Sequence, residues 1–169
     1  AYVREAAREF GNYARSAGYA KPIVRGEGGV ALSGTAPQDP DVARDPRGTY
    51  YHKKVWAGVG TLGYSCDGDW YPRLFVSGGA YPNSTYDPFK VYAAYERFVR
   101  GEPLANGHYE PIGSDLSAPQ QVVLSEATAT LRAWGVRDAS NGRVLLWIDN
   151  AADTWKNAVD GVAVPAASG

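Results

Sequence analysis

The apolar residues of this chain repeat with one period before residue 100 and with another after residue 120, and that switch limits the folds open to it. Asp87 reads as a helix N-cap and Pro88 as the first helical residue. Val91, Tyr92, Tyr95, Phe98 and Val99 then form one apolar stripe at helical spacing, which Gly101 ends. Residues 101–120 are rich in Gly and Pro. Beyond Gln120 the period is two: Ala127, Ala129, Leu131 and Ala133 alternate with Thr128, Thr130, Arg132 and Trp134. The stretch Asp138-Ala139-Ser140-Asn141-Gly142 is a turn, and Val144-Leu145-Leu146-Trp147-Ile148 is a second strand. Strand, Asn-Gly turn and strand predict an antiparallel hairpin. Two strands alone are marginal in water, so the hairpin is expected to belong to a larger β module that this chain only begins.

The first hundred residues read as alternating helix and strand. Val3, Ala6, Ala7, Phe10, Tyr13, Ala14 and Ala17 share one helical face, and Gly18 stops the pattern as a C-cap would. A short extended run, Ile23-Val24-Arg25, follows Lys21-Pro22 and closes in Gly26-Glu27-Gly28-Gly29. A long irregular loop over 31–48 comes next, and loops of that length are uncommon unless functional. Asp45-Pro46 predicts an N-cap and first helical residue for a helix carrying Tyr51, Val55 and Val59, weakened at its end by Gly58 and Gly60. Thr61-Leu62-Gly63-Tyr64-Ser65 reads as another short strand, running out into Cys66-Asp67-Gly68-Asp69-Trp70-Tyr71.

Composition narrows the function classes. With 17 Lys and Arg against 18 Asp and Glu the net charge is −1, which makes no electrostatic case for nucleic acid or an anionic membrane. No apolar run approaches the roughly 20 residues of a membrane span. A single cysteine, Cys66, excludes an internal disulfide and a thiolate metal site, and His52 and His108 lack metal-ligand spacing. No cofactor is expected. The chain begins without Met, so it is expected to start inside a longer translation product. The 12 Tyr and 5 Trp supply rings with a flat apolar face and a polar edge, suited equally to cores and to stacking on sugars.

Glu27 is the candidate catalytic residue. It follows a short apolar run and has Gly26 on one side and Gly28-Gly29 on the other, so substrate or backbone can approach its carboxylate closely. The run Lys21-Pro22-Ile23-Val24-Arg25-Gly26-Glu27-Gly28-Gly29 resembles the strand-seven segment of clan A retaining glycoside hydrolases, where such a Glu is the nucleophile. The helix ahead of it, the segment His52, Trp56, Ala57 and Gly58 after it, and Tyr95-Glu96-Arg97-Phe98-Val99 resemble neighbouring barrel elements of that family. Leu131-Arg132-Ala133-Trp134-Gly135-Val136-Arg137-Asp138, Leu146-Trp147-Ile148-Asp149-Asn150 and Thr154-Trp155 resemble the β-sandwich appended to some of those barrels.

The resemblance implies an α/β chain: the C-terminal part of a (β/α)8 barrel over 1–102, a linker over 103–120 and the start of an antiparallel β-sandwich over 121–169. It also implies a carbohydrate substrate, with Trp70 and Tyr71 stacking on the sugar and Asp67 and Asp69 bonding its hydroxyls, and an extracellular or cell-surface setting. Retaining glycosidases need a second carboxyl group about 5–5.5 Å from the nucleophile. In this clan it usually stands in an Asn-Glu pair, which the chain lacks. The acid/base is therefore expected from outside these residues, and the chain alone is expected to be inactive. The expected partners are the carbohydrate and either the remaining N-terminal barrel or another chain that covers open strand edges. The alternative is a non-catalytic carbohydrate-binding or surface-structural protein. A self-standing α+β domain is the third reading, disfavoured because it leaves strand edges unpaired.

Overall fold

The computed structural model describes residues 17–18, 27–28, 45, 47–59, 68–69, 88–124 and 130–164. In chain order the elements are β1 (Glu27–Gly28), α1 (Thr49–Trp56), β2 (Gly68–Asp69), α2 (Pro88–Val99), β3 (Glu110–Gly113), β4 (Leu131–Asp138), β5 (Arg143–Asn150) and α3 (Trp155–Val159). The expected helix before residue 17, the strands at 23–25 and 61–65 and most of the 31–48 loop lie outside the described residues. Gly18 itself is left-handed at φ 76°, the backbone a helix C-cap uses.

Helix α1 starts three residues later than Asp45-Pro46 predicts. The N-cap position is Gly48, left-handed at φ 62° and without a side chain to accept the first N–H groups. Asp45 supplies the acceptor from three residues back. Its buried carboxylate takes the backbone N–H of Tyr50 at 2.9 Å and of Arg47 at 3.2 Å. The capping chemistry read from Asp45 is present, but it acts through a turn rather than from the cap position. At the other end the ladder tightens as Gly58 foretells. Gly58 N–H donates to Val55 O at 3.3 Å and Val59 N–H to Trp56 O at 3.1 Å, both over three residues.

Helix α2 follows its sequence pattern. Val91 is buried, and Tyr92, Tyr95, Phe98 and Val99 are half-buried on the same stripe. Gly101 is left-handed at φ 78° just past the end. Asp87 lies outside the described residues. The exposed side carries an Arg100–Glu96 ion pair one turn apart.

The hairpin also forms. β4 and β5 pair antiparallel from Leu131↔Asn150 to Asp138↔Arg143, joined by 139–142 with Gly142 left-handed at φ 62°. β3, which falls within the Gly/Pro-rich 103–120 stretch, adds a third antiparallel strand with Ile112↔Gly135 and Glu110↔Arg137 in register. The order is β3-β4-β5.

The expected architecture is corrected here. The described residues form an open three-stranded antiparallel sheet with a few short helices, and no barrel portion and no second stacked sheet occur among them. The physical reason is where the aromatic faces go. Trp134 and Trp147 are cross-strand partners, so they project from the same face of the sheet, and that face is covered by helices. Trp56 of α1 stacks on Trp147 with centroids 4.5 Å apart and planes at 11°, and its carbonyl accepts from Trp134 Nε1 at 3.2 Å. Tyr95 and Phe98 of α2 meet the edges of the same Trp56 ring at 5.6 and 5.1 Å. One core of Val55, Trp56, Val59, Val91 and Trp134 thus joins α1, α2 and the sheet. A helix stripe needs an apolar surface of any kind to cover, and here an antiparallel sheet supplies it.

Candidate functional site

The candidate site is built on the shortest elements. β1 and β2 pair in parallel, with Glu27 registered against Gly68 and Gly28 against Asp69. Paired strands run about 4.8 Å apart, so the Glu27 and Asp69 segments, separated by four tens of residues in the chain, lie side by side. Glu27 has glycine before it, glycine after it and glycine across from it. It is the one side-chain-bearing position in that stretch of backbone, and a ligand can come close to it without meeting a neighbouring Cβ. The structure brings Glu27 and Asp69 together at the level of the backbone; Asp67, Trp70 and Tyr71 lie outside the described residues.

The other polar centres are structural in their geometry. Asp149 on the helix-covered face of β5 accepts from Lys53 Nζ at 2.7 Å and Arg132 Nη2 at 2.9 Å, and the same Lys53 ammonium donates to Asn150 O at 2.6 Å. A buried carboxylate needs such partners, and this one ties α1 to both strands of the hairpin. Sequence reasoning missed this cluster. Its signal is that Asp149 stays in phase with Leu145 and Trp147, so the two-residue period turns a charge inward that must then be paired.

Asp138 closes the hairpin. Its buried carboxylate accepts from Asn141 Nδ2, Ser140 Oγ, Asn106 Nδ2 and the Asn141 backbone N–H, and these bonds hold its pKa far below the usual carboxylate range. His108 Nδ1 stands 3.2 Å from Ser140 Oγ, a pairing that looks like nucleophile and base. The Ser140 hydroxyl has one proton, and it is given to Asp138 Oδ1 at 2.6 Å. His108 can then only donate to Ser140, so it cannot serve as that oxygen's base.

His52 packs rather than reacts. It sits 5.2 Å from the Trp147 ring and 6.2 Å from Trp56, and burial, followed by the neighbouring Lys53 charge, pushes its pKa down. Among the described residues no group of three His, Cys, Asp or Glu side chains can hold a metal ion, and no helix is long and apolar enough to cross a membrane.

No protein-family model, curated protein or solved structure matches this chain.

Proposed function

We propose that this chain carries the nucleophile-bearing part of a retaining glycoside hydrolase acting on an oligo- or polysaccharide, with Glu27 as the nucleophile. The observation that supports it is the parallel register of β1 and β2, in which Glu27 is bordered by glycine on three sides and Asp69 follows on the neighbouring strand. The reading does not require a barrel. It requires a carboxylate that an anomeric carbon can reach, and polar and aromatic groups beside it.

The ionised Glu27 carboxylate attacks the anomeric carbon while the glycosidic C–O bond breaks. The departing oxygen takes a proton from an acid that another part of the protein supplies. The same group, now a base, removes a proton from water, which attacks the anomeric carbon and frees Glu27. Asp69 and Asp67 bond sugar hydroxyls, and Trp70 and Tyr71 stack on the ring. The two carboxyl groups that do the chemistry must hold different protonation states, which their environments set.

The test uses the protein that contains this chain together with its acid/base. Glu27→Gln is expected to lower hydrolysis of aryl glycosides by on the order of 10³-fold or more, as removal of a nucleophile does. A 2-deoxy-2-fluoro glycoside is expected to leave its sugar on the peptide that contains Glu27. Turnover retained by the variant, or a label found on another residue, overturns the assignment.

A further inference from the structure

The two edges of the sheet are finished differently. At β3 the chain returns on itself: Gly113 N–H donates to Gln120 O and Val122 N–H to Gly113 O, both at 3.0 Å, and Pro111 interrupts the donors of the same strand. β5 has neither device. Its run from Val144 to Ile148 holds no charge, no proline and no glycine, the features with which natural edges are blunted.

The register tells which groups β5 leaves open. Ala151 N–H bonds Thr130 O in line with the β4–β5 pairing, so every second residue back along β5, at 149, 147, 145 and 143, turns its backbone toward β4. Val144, Leu146 and Ile148 therefore turn their N–H and C=O groups outward. Their side chains stand on the face away from the helices, where Val144 and Ile148 are each 55% exposed.

These features are self-complementary. Two β5 strands set antiparallel about Leu146 bring Val144 against the other copy's Ile148 and Leu146 against its own counterpart. All three are outward-turned positions in each strand, so backbone bonds and apolar side chains match in one register. That arrangement sets the half-exposed Arg143 across from the acidic end of the opposing strand, at Asp149. A parallel arrangement in register would set Arg143 against Arg143. Such mutual matching of one patch to itself is the condition for a two-fold interface.

We propose that β5 is a dimerisation edge: two copies of this chain pair through residues 144–148 into a continuous six-stranded antiparallel sheet. A strand-to-strand contact is small beside ordinary interfaces, so the dimer is expected to be weak and to dissociate on dilution.

The experiment is sedimentation velocity on the 169-residue chain over about 1 to 500 µM, with backbone hydrogen exchange read at Leu146 in the same samples. The expected result is a monomer–dimer equilibrium in which protection at Leu146 rises with concentration. Ile148→Lys places a charge on the exposed strand position and is expected to abolish the dimer; its far-UV circular dichroism, matched to the parent, establishes that it is folded. Val144→Lys serves as the second variant should the first fail to fold. A chain that stays monomeric throughout that range, or a dimer that survives both substitutions, overturns the proposal. The monomeric outcome leaves a strand of another protein chain as the occupant of the edge.

Discussion

His52 carries a charge state that its surroundings have chosen. Between the rings of Trp56 and Trp147 the imidazolium loses water, and Lys53 beside it adds repulsion, while Asp149 and Asp153 oppose the shift less strongly. The folded-state pKa lies below the ordinary 6.5, so the unfolded chain takes up a proton first as pH falls. This group makes no difference to stability well above 6.5, and it destabilises the fold as pH drops from there through the lowered value. Glu102 and Glu110, held below the usual carboxylate range by Arg143 and Arg137, add their losses only in a lower window, beneath about 4.5. Urea denaturation of His52→Gln is therefore expected to show a flat stability between about pH 7 and 5.5, where the parent declines. Parallel declines in the two proteins would refute this account. The helical spacing of Tyr51, His52 and Lys53 places the histidine on α1, but the indole that covers it comes from a strand ninety-odd residues away.

At the level of elements the hairpin is the informative case. The Asn141-Gly142 turn is readable in sequence because a left-handed position favours glycine through local sterics alone. Gly135 is not readable that way. It sits mid-strand on β4, and a Cβ placed on it would stand 1.9 Å from the Leu145 carbonyl oxygen of β5, so the two backbones approach more closely than any side chain permits. The two glycines thus differ in what they cost to replace. Gly142→Ala, with nothing within 4 Å of its Cβ, is expected to lose about 1 kcal/mol through backbone strain. Gly135→Ala is expected to lose about 3 kcal/mol, since backbone rather than a flexible side chain must yield. Chemical denaturation of both variants checks the order, and a Gly135 variant as stable as the Gly142 one would contradict the close approach. The cap of α1 carries the same lesson. Asp45 is identifiable as a capping residue, yet its reach across Gly48 to Tyr50 depends on a turn that no helix pattern specifies.

For the molecule as a whole, Trp56 is the joint. It touches α2 through Tyr95 and Phe98, β5 through Trp147 and β4 through the bond its carbonyl accepts from Trp134. Trp56→Ala is expected to cost about 3–5 kcal/mol, the range for removing a large buried aromatic. In the parent, far-UV circular dichroism and tryptophan fluorescence are expected to report one unfolding transition, because helices and sheet share that core. Two separate transitions would contradict it. The Lys53–Asp149–Arg132 cluster acts across the same boundary.

What the sequence determined by itself is local: the span of α2 and its glycine end, the hairpin and its turn, and Glu27 as an acid set among glycines. Each rests on contacts within a few residues, where spacing and backbone sterics leave few alternatives. The tertiary structure alone decided what each apolar face would meet. The Trp134–Trp56 bond spans 78 residues and the Lys53–Asp149 pair 96, and no local pattern encodes such a partner. An amphipathic helix is satisfied equally by parallel strands of a barrel or by one face of an antiparallel sheet, since burial rewards apolar area without regard to strand direction. The resemblance carried by Lys21-Pro22 and Gly26-Glu27 pointed to the first, and the aromatic stack on Trp56 placed the helices on the second. The glycine registered across from Glu27 was likewise beyond local reading, because strand register is a property of the pair.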